Sequence, residues 1–205
     1  MRTAGIESPV VSAGSTWIGW TVVTAVALAL VPVSARSAPD VQDIAVVVRK
    51  DGPVISVEVD CPVSAPLRVV WEVLTDYDHM AQFISNLELS EVRSRAKDTL
   101  RVYQKGKASR GPLRFSFENV REIDVVPFRE LRSRLISGNL KASEFTTQIV
   151  EAGAVIHIVN RGHYTPEIWV PPIIGPALIE AETRKQFGEI RAEILRRSAR
   201  LASPP

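Results

Sequence analysis

The chain has 205 residues, 45% of them hydrophobic and 23% charged, with 11 Gly, 14 Pro and one Cys. This composition excludes a disordered, a collagen-like or a disulfide-scaffolded chain and is that of a globular protein. Its 25 basic and 23 acidic residues leave a net charge of +2 spread along the chain, without the basic stripe that nucleic-acid binding needs.

The charges avoid one region. Ser8 to Ala35 is a run of 28 uncharged residues, strongly apolar from Trp17 to Val31. Pro32 then leads into Val33-Ser34-Ala35, a small-residue pattern that signal peptidase cuts after Ala35. Residues 1–35 read as an export signal. A membrane anchor over residues 17–33 and a buried core helix are the alternatives, since about 17–20 apolar residues span a bilayer. The first two place residues 36–205, read as a single domain, outside the cytoplasm, periplasmic or secreted. The 170 residues that remain are enough to bury a sizeable core.

Ile44–Val48 and Val54–Cys61 are β-branched-rich runs around Asp51-Gly52-Pro53, which predicts a strand, a turn and a strand. Cys61 has no partner for an intramolecular disulfide and reads as a buried structural thiol. Leu67, Val70, Trp71 and Leu74 then follow helical spacing, with Ser64 as N-cap and Pro66 in the first turn. Thr75-Asp76-Tyr77-Asp78 reads as a capping box opening a second, short helix with Met80, Phe83 and Ile84 inward.

A run of strand-like segments follows: Leu87–Arg95, Thr99–Lys107, Leu113–Val126, Arg129–Ile136, Ser143–Val150 and Ala154–Tyr164. In the third, Leu113, Phe115, Phe117 and Ile123 face opposite to Arg114, Ser116, Glu118, Glu122 and Asp124. The prolines of Thr165–Pro172 break the pattern. A helical period returns from Ile173 to about Ala199, carried by Leu178, Ala181, Phe187, Ile190 and Ile194. Strands joined in series by short turns are antiparallel. An α+β arrangement follows, with a twisted sheet curling around the one long helix. The gap between such a sheet and helix is where a cavity forms.

This element order resembles the SRPBCC or START-like superfamily with its helix-grip fold, and within it the polyketide cyclase/dehydrase and coenzyme-Q-binding type. The match is carried by Val63-Ser64-Ala65-Pro66, by Val70-Trp71-Glu72-Val73-Leu74-Thr75-Asp76-Tyr77, and by Gln82-Phe83-Ile84-Ser85-Asn86-Leu87. The Ser137-Gly138-Asn139 turn and the Pro-rich lead-in to the last helix also fit. The resemblance spans roughly residues 54 to 198, and departs from the family where the aromatic residue in the strand after the Gly-Asn turn is Phe145 and where the usual Gly-Thr reads Gly153-Ala154. It implies a domain holding a hydrophobic ligand (a lipid, a quinone or a polyketide-like compound), a cyclase/dehydratase-type enzyme, or a non-catalytic interaction scaffold.

The expected ligand-lining residues are Phe83, Tyr103, Phe115, Phe117, Leu135, His157, Arg161, Trp169, Leu178 and Phe187. His157, Arg161 and His163 share one face of the last strand. Either that face points into the cavity, making His157 and Arg161 the candidates for catalysis or head-group orientation, or it is a solvated outer face behind Ile156 and Ile158. His157 and His163 lie about 20 Å apart at ~3.3 Å per strand residue, too far to share a metal. His79, beside Asp76 and Asp78, reads as an exposed helix start or an acid/base group at the cavity mouth. Gly188 either makes room for a ligand or is simply tolerated. No nucleophile, phosphate-cradling or metal-ligand motif stands out, so no cofactor is expected. Ile168, Trp169, Ile173 and Ile174 form an apolar cluster suited to a membrane surface.

Overall fold

In the computed structural model the β-branched runs pair into one eight-stranded antiparallel sheet, in the order β1-β2-β8-β7-β6-β5-β4-β3. The structure describes residues 43–110, 113–167, 170 and 174–202, with the side chains of 108–115 and 174 outside that set. The strands are β1 (Ala45–Asp51), β2 (Val54–Val63), β3 (Leu87–Ala96), β4 (Thr99–Arg110), β5 (Leu113–Val126), β6 (Glu130–Gly138), β7 (Leu140–Ala152) and β8 (Val155–Pro166). Between β2 and β3 come helix α1 (Leu67–Thr75) and a 3-10 helix (Tyr77–Gln82); helix α2 (Ile174–Ala202) ends the described chain. The fold is the α+β arrangement expected from the sequence. The uncharged run Ser8–Ala35, and Ile168, Trp169 and Ile173, lie outside the described residues.

Two glycines let the sheet bend. Gly106 pairs with Phe117 across β4 and β5, and Gly162 with Phe145 across β7 and β8. A Cβ at either position would sit 2.5 Å from the aromatic ring opposite. Each ring therefore lies over bare backbone on the neighbouring strand, a close approach that any side chain would block.

Helix α2 packs on β1, β2 and α1. Val59, Cys61, Val63, Val70, Val73, Phe187, Ile190 and Ile194 meet there in one buried cluster. Each such aliphatic or aromatic side chain stabilises the fold by about 1.5–3 kcal/mol. Cys61 is fully buried with its thiol 3.8 Å from the Phe187 carbonyl oxygen, and burial pushes its pKa up to about 11.

Both expected caps are corrected. Ser64 makes no cap: its hydroxyl is buried without a partner, and α1 starts at Leu67 after Pro66, whose carbonyl accepts from the Val69 and Val70 amides. Nor does Thr75 open a capping box, because its hydroxyl turns back to the Trp71 carbonyl at 2.8 Å. The Asp78 carboxylate instead accepts from the Val92 amide at 2.7 Å and from Arg95 at 3.2 Å. Capturing Asp78 from β3 leaves a six-residue 3-10 helix where a regular helix was expected.

Candidate functional site

Strand alternation assigns each side chain to one of two faces. Inward on β2 and β8 point Val57, Val59, Cys61, Ile156 and Ile158, all buried. The inward residues of β5, β6 and β7 are mixed: Phe117, Arg121, Val125, Ser133, Leu135, Phe145, Thr147 and Ile149 are partly buried, interleaved with the buried Asn119, Ile123, Leu131 and Ser143. One end of the sheet is thus closely packed against α2 and α1, and the concave face of β5–β7 is less evenly buried.

Arg121 sits at the centre of a polar cluster on this face. Its Nε donates to Asn119 Oδ1 at 3.2 Å, Nη1 to Ser133 Oγ at 3.2 Å and Nη2 to Ser143 Oγ at 3.0 Å. The guanidinium carbon lies 5.7 Å from the centre of the Phe145 ring, in cation–π range. All three acceptors are neutral, and among the described residues no carboxylate pairs with Arg121. Burial accordingly lowers its pKa below the ordinary arginine value. Tyr77 of the 3-10 helix is the charged group's titratable neighbour, its phenol pushed well up by burial. Tyr164 lies beyond Phe145, ring centroids 6.3 Å apart, with its phenol pushed up to about 12 by burial. Apolar Val102, Ile123, Leu131 and Leu135 surround the cluster on the same face.

The expected site residues divide three ways. Phe117 and Leu135 line the concave face near Arg121. Leu178 and Phe187 are buried on α2, and Phe83 lies under the Arg197 guanidinium at 5.8 Å. Three placements are corrected. His157 and Arg161 are on the outer face, because Ile156 and Ile158 take the core side; His157 Nδ1 lies 2.8 Å from Asp60 Oδ1. Tyr103 is also outside, donating to Glu118 Oε1 at 2.9 Å beneath Arg93. Trp169 and the Phe115 side chain lie outside the described set. His79 is exposed, its Nδ1 2.6 Å from Asp76 Oδ1.

Arg161 and His163 instead border an open outer groove of about 450 Å³ with Arg132, Arg134, Asp124 and Glu144. Its arginines are largely neutralised, Arg134 by Glu122 and Asp124 and Arg132 by Glu130. Among the described residues there is no cluster of three or more groups able to hold a metal, and no helix long and apolar enough to cross a membrane.

Arg121 escaped the sequence reading, although a signal was present. It has the odd numbering of Phe117 and Ile123, so alternation puts a charge on the apolar face of β5.

A sheet closed by β8 returning beside β2, two short helices after β2 and a long last helix is an arrangement shared with solved structures. The STAR-related lipid transfer protein from Xanthomonas axonopodis superposes with a TM-score of 0.63 at 14% identity, covering 77% of this chain and 97% of that one. The chain has the START-like fold. The Zhui aromatase/cyclase from Streptomyces sp. R1128 shares this START-like fold (TM-score 0.59, 16% identity, 73% of this chain and 96% of that one). So does a START superfamily protein from Mycobacterium smegmatis (TM-score 0.59, 12% identity, 69% and 97%). In sequence, residues 63–150 match the family model described as polyketide cyclase / dehydrase and lipid transport. None of the curated proteins matches the chain. The matched segment runs from the end of β2 to β7 and includes Arg121, Ser133 and Ser143.

Proposed function

We propose that this START-like domain is an exported binding protein that holds one apolar small molecule between the curved sheet and α2, its polar end at Arg121. The observation that carries this reading is the change along the concave face. Closely packed aliphatic side chains at β2 give way to a mixture of buried and partly buried apolar ones grouped around the Arg121 guanidinium, which meets no carboxylate among the described residues. Binding is driven by apolar burial at about 25 cal/mol per Å², while the polar cluster orients the head. The printed names of structural neighbours, a lipid transfer protein and an aromatase/cyclase, agree with an apolar ligand. An enzyme of the cyclase/dehydratase kind working through His157 or Arg161 is disfavoured by their outer-face position.

Export rests on the uncharged run and the Val33-Ser34-Ala35 pattern. Contact with a membrane surface, through the cluster Ile168, Trp169, Ile173 and Ile174, accompanies delivery of an apolar ligand. Native mass spectrometry of protein purified without detergent tests the binding role. A retained apolar compound supports it. Ligand-free protein that also ignores a panel of lipids, quinones and aromatic polyketides overturns it.

A further inference from the structure

The donor inventory of Arg121 narrows the ligand's head group. A guanidinium has five N–H donors in a planar fork. Three are used, one each from Nε, Nη1 and Nη2. One N–H therefore remains on each terminal nitrogen, available to a further acceptor. The acceptors already in place are an amide and two hydroxyls, so they orient the fork without neutralising it. Asn119 and Ser143 are 4% and 2% exposed, so the cradle is buried in the concave face of the sheet. The groups facing Arg121 from the other elements are the Tyr77 phenol and the Phe145 ring, and neither carries a formal negative charge at neutral pH. A buried charge that lacks a counter-charge is costly, and an anion supplied from outside removes that cost.

We infer that the ligand is a carboxylic acid with an apolar tail, its carboxylate bound bidentately by the two free N–H groups of Arg121. This rests on the apolar-ligand reading above and specifies the chemistry of the same site. Neutral lipids and quinones would leave the guanidinium uncompensated. The tail runs from the cradle past Leu131, Leu135 and Phe145, which share the face of Arg121.

Calorimetric titration with dodecanoate, methyl dodecanoate and dodecyl phosphate tests the inference, using the wild type, Arg121→Gln and Arg121→Lys, each checked for folding by thermal melting. Dodecanoate should bind at least about 10-fold more tightly than its methyl ester. Arg121→Gln should abolish that preference while the ester still binds, and Arg121→Lys should keep a smaller preference, because an ammonium attracts the anion without the two-pronged fit. Equal binding of acid and ester, or an acid preference surviving in Arg121→Gln, overturns the carboxylate assignment and leaves the apolar pocket standing. Tighter binding of the phosphate than of the carboxylate also overturns it. If none of the three compounds binds, while neutral apolar compounds from the wider panel do, the acid inference fails alone; if nothing apolar binds, both readings fall.

Discussion

Arg197, near the end of α2, donates to Asp76 Oδ2 at 2.7 Å and so ties the last helix to the residue that ends α1. The same guanidinium donates through Nε to Glu193 Oε1 at 2.6 Å, and Arg196 donates to both Glu193 oxygens at 2.6 and 2.5 Å. Glu193 is only 7% exposed, so its charge depends on these partners. Hydrogen bonds from Arg196, then Arg197, hold its pKa down to about 2 against the opposing effect of burial. Against burial too, His79 and Arg197 hold Asp76 below the usual carboxylate range.

Both folded-state pKa values are depressed, so the stability these carboxylates contribute is present above their unfolded values and is lost as pH falls. The loss should begin below about pH 4.5 and continue towards pH 2. Thermal melts across that range should show it. Glu193→Gln should flatten that part of the profile and cost about 1–3 kcal/mol at pH 7. An unchanged acid slope in the variant would show that the network carries no such linkage.

The two glycine positions give opposite expectations. Gly162→Ala puts a methyl group against the Phe145 ring and the Glu144 carbonyl, and overpacking of this kind costs about 1–3 kcal/mol. Gly188→Ala meets open space inside a helix and should raise stability by about 1 kcal/mol. Denaturant unfolding of both variants checks the pair, and the prediction fails if the two shifts share a sign.

His157→Ala and Arg161→Ala should leave ligand affinity within about twofold of wild type, since both side chains lie on the convex face. A tenfold loss in either variant would move the site to the outer groove.

Arg121→Met should leave the unliganded protein as stable as wild type or more so. Replacing an uncompensated buried cation with an apolar side chain of similar length removes a desolvation cost. Ligand retention should fall in the same variant. A lower Tm for the unliganded variant would mean that Arg121 serves the fold rather than the ligand.

Much of the architecture is legible in the sequence because alternation and helical spacing are local signals. Val54–Cys61 and the Ile156/Ile158 pair announce buried strand faces, and the stripe through Phe187, Ile190 and Ile194 announces α2. Caps were less legible. Ser64 and Thr75 are residue types that cap helices, but Thr75 satisfied its hydroxyl on the preceding turn and Ser64 stayed buried in the link from β2. The site itself is less legible, because a charged side chain in an alternating strand ordinarily faces solvent. Arg121 points inward because Asn119, Ser133 and Ser143, contributed by three strands, converge on it only once the sheet has folded. For His157 and Arg161, parity alone left two faces open, and burial of Ile156 and Ile158 decides between them.

The crystal structure of the protein purified without detergent tests the whole account most directly. Continuous non-protein density along Leu131, Leu135 and Phe145, ending within hydrogen-bond distance of Arg121, is the predicted result. An interior filled by the protein's own side chains, with Arg121 paired to one of its own carboxylates, would contradict it.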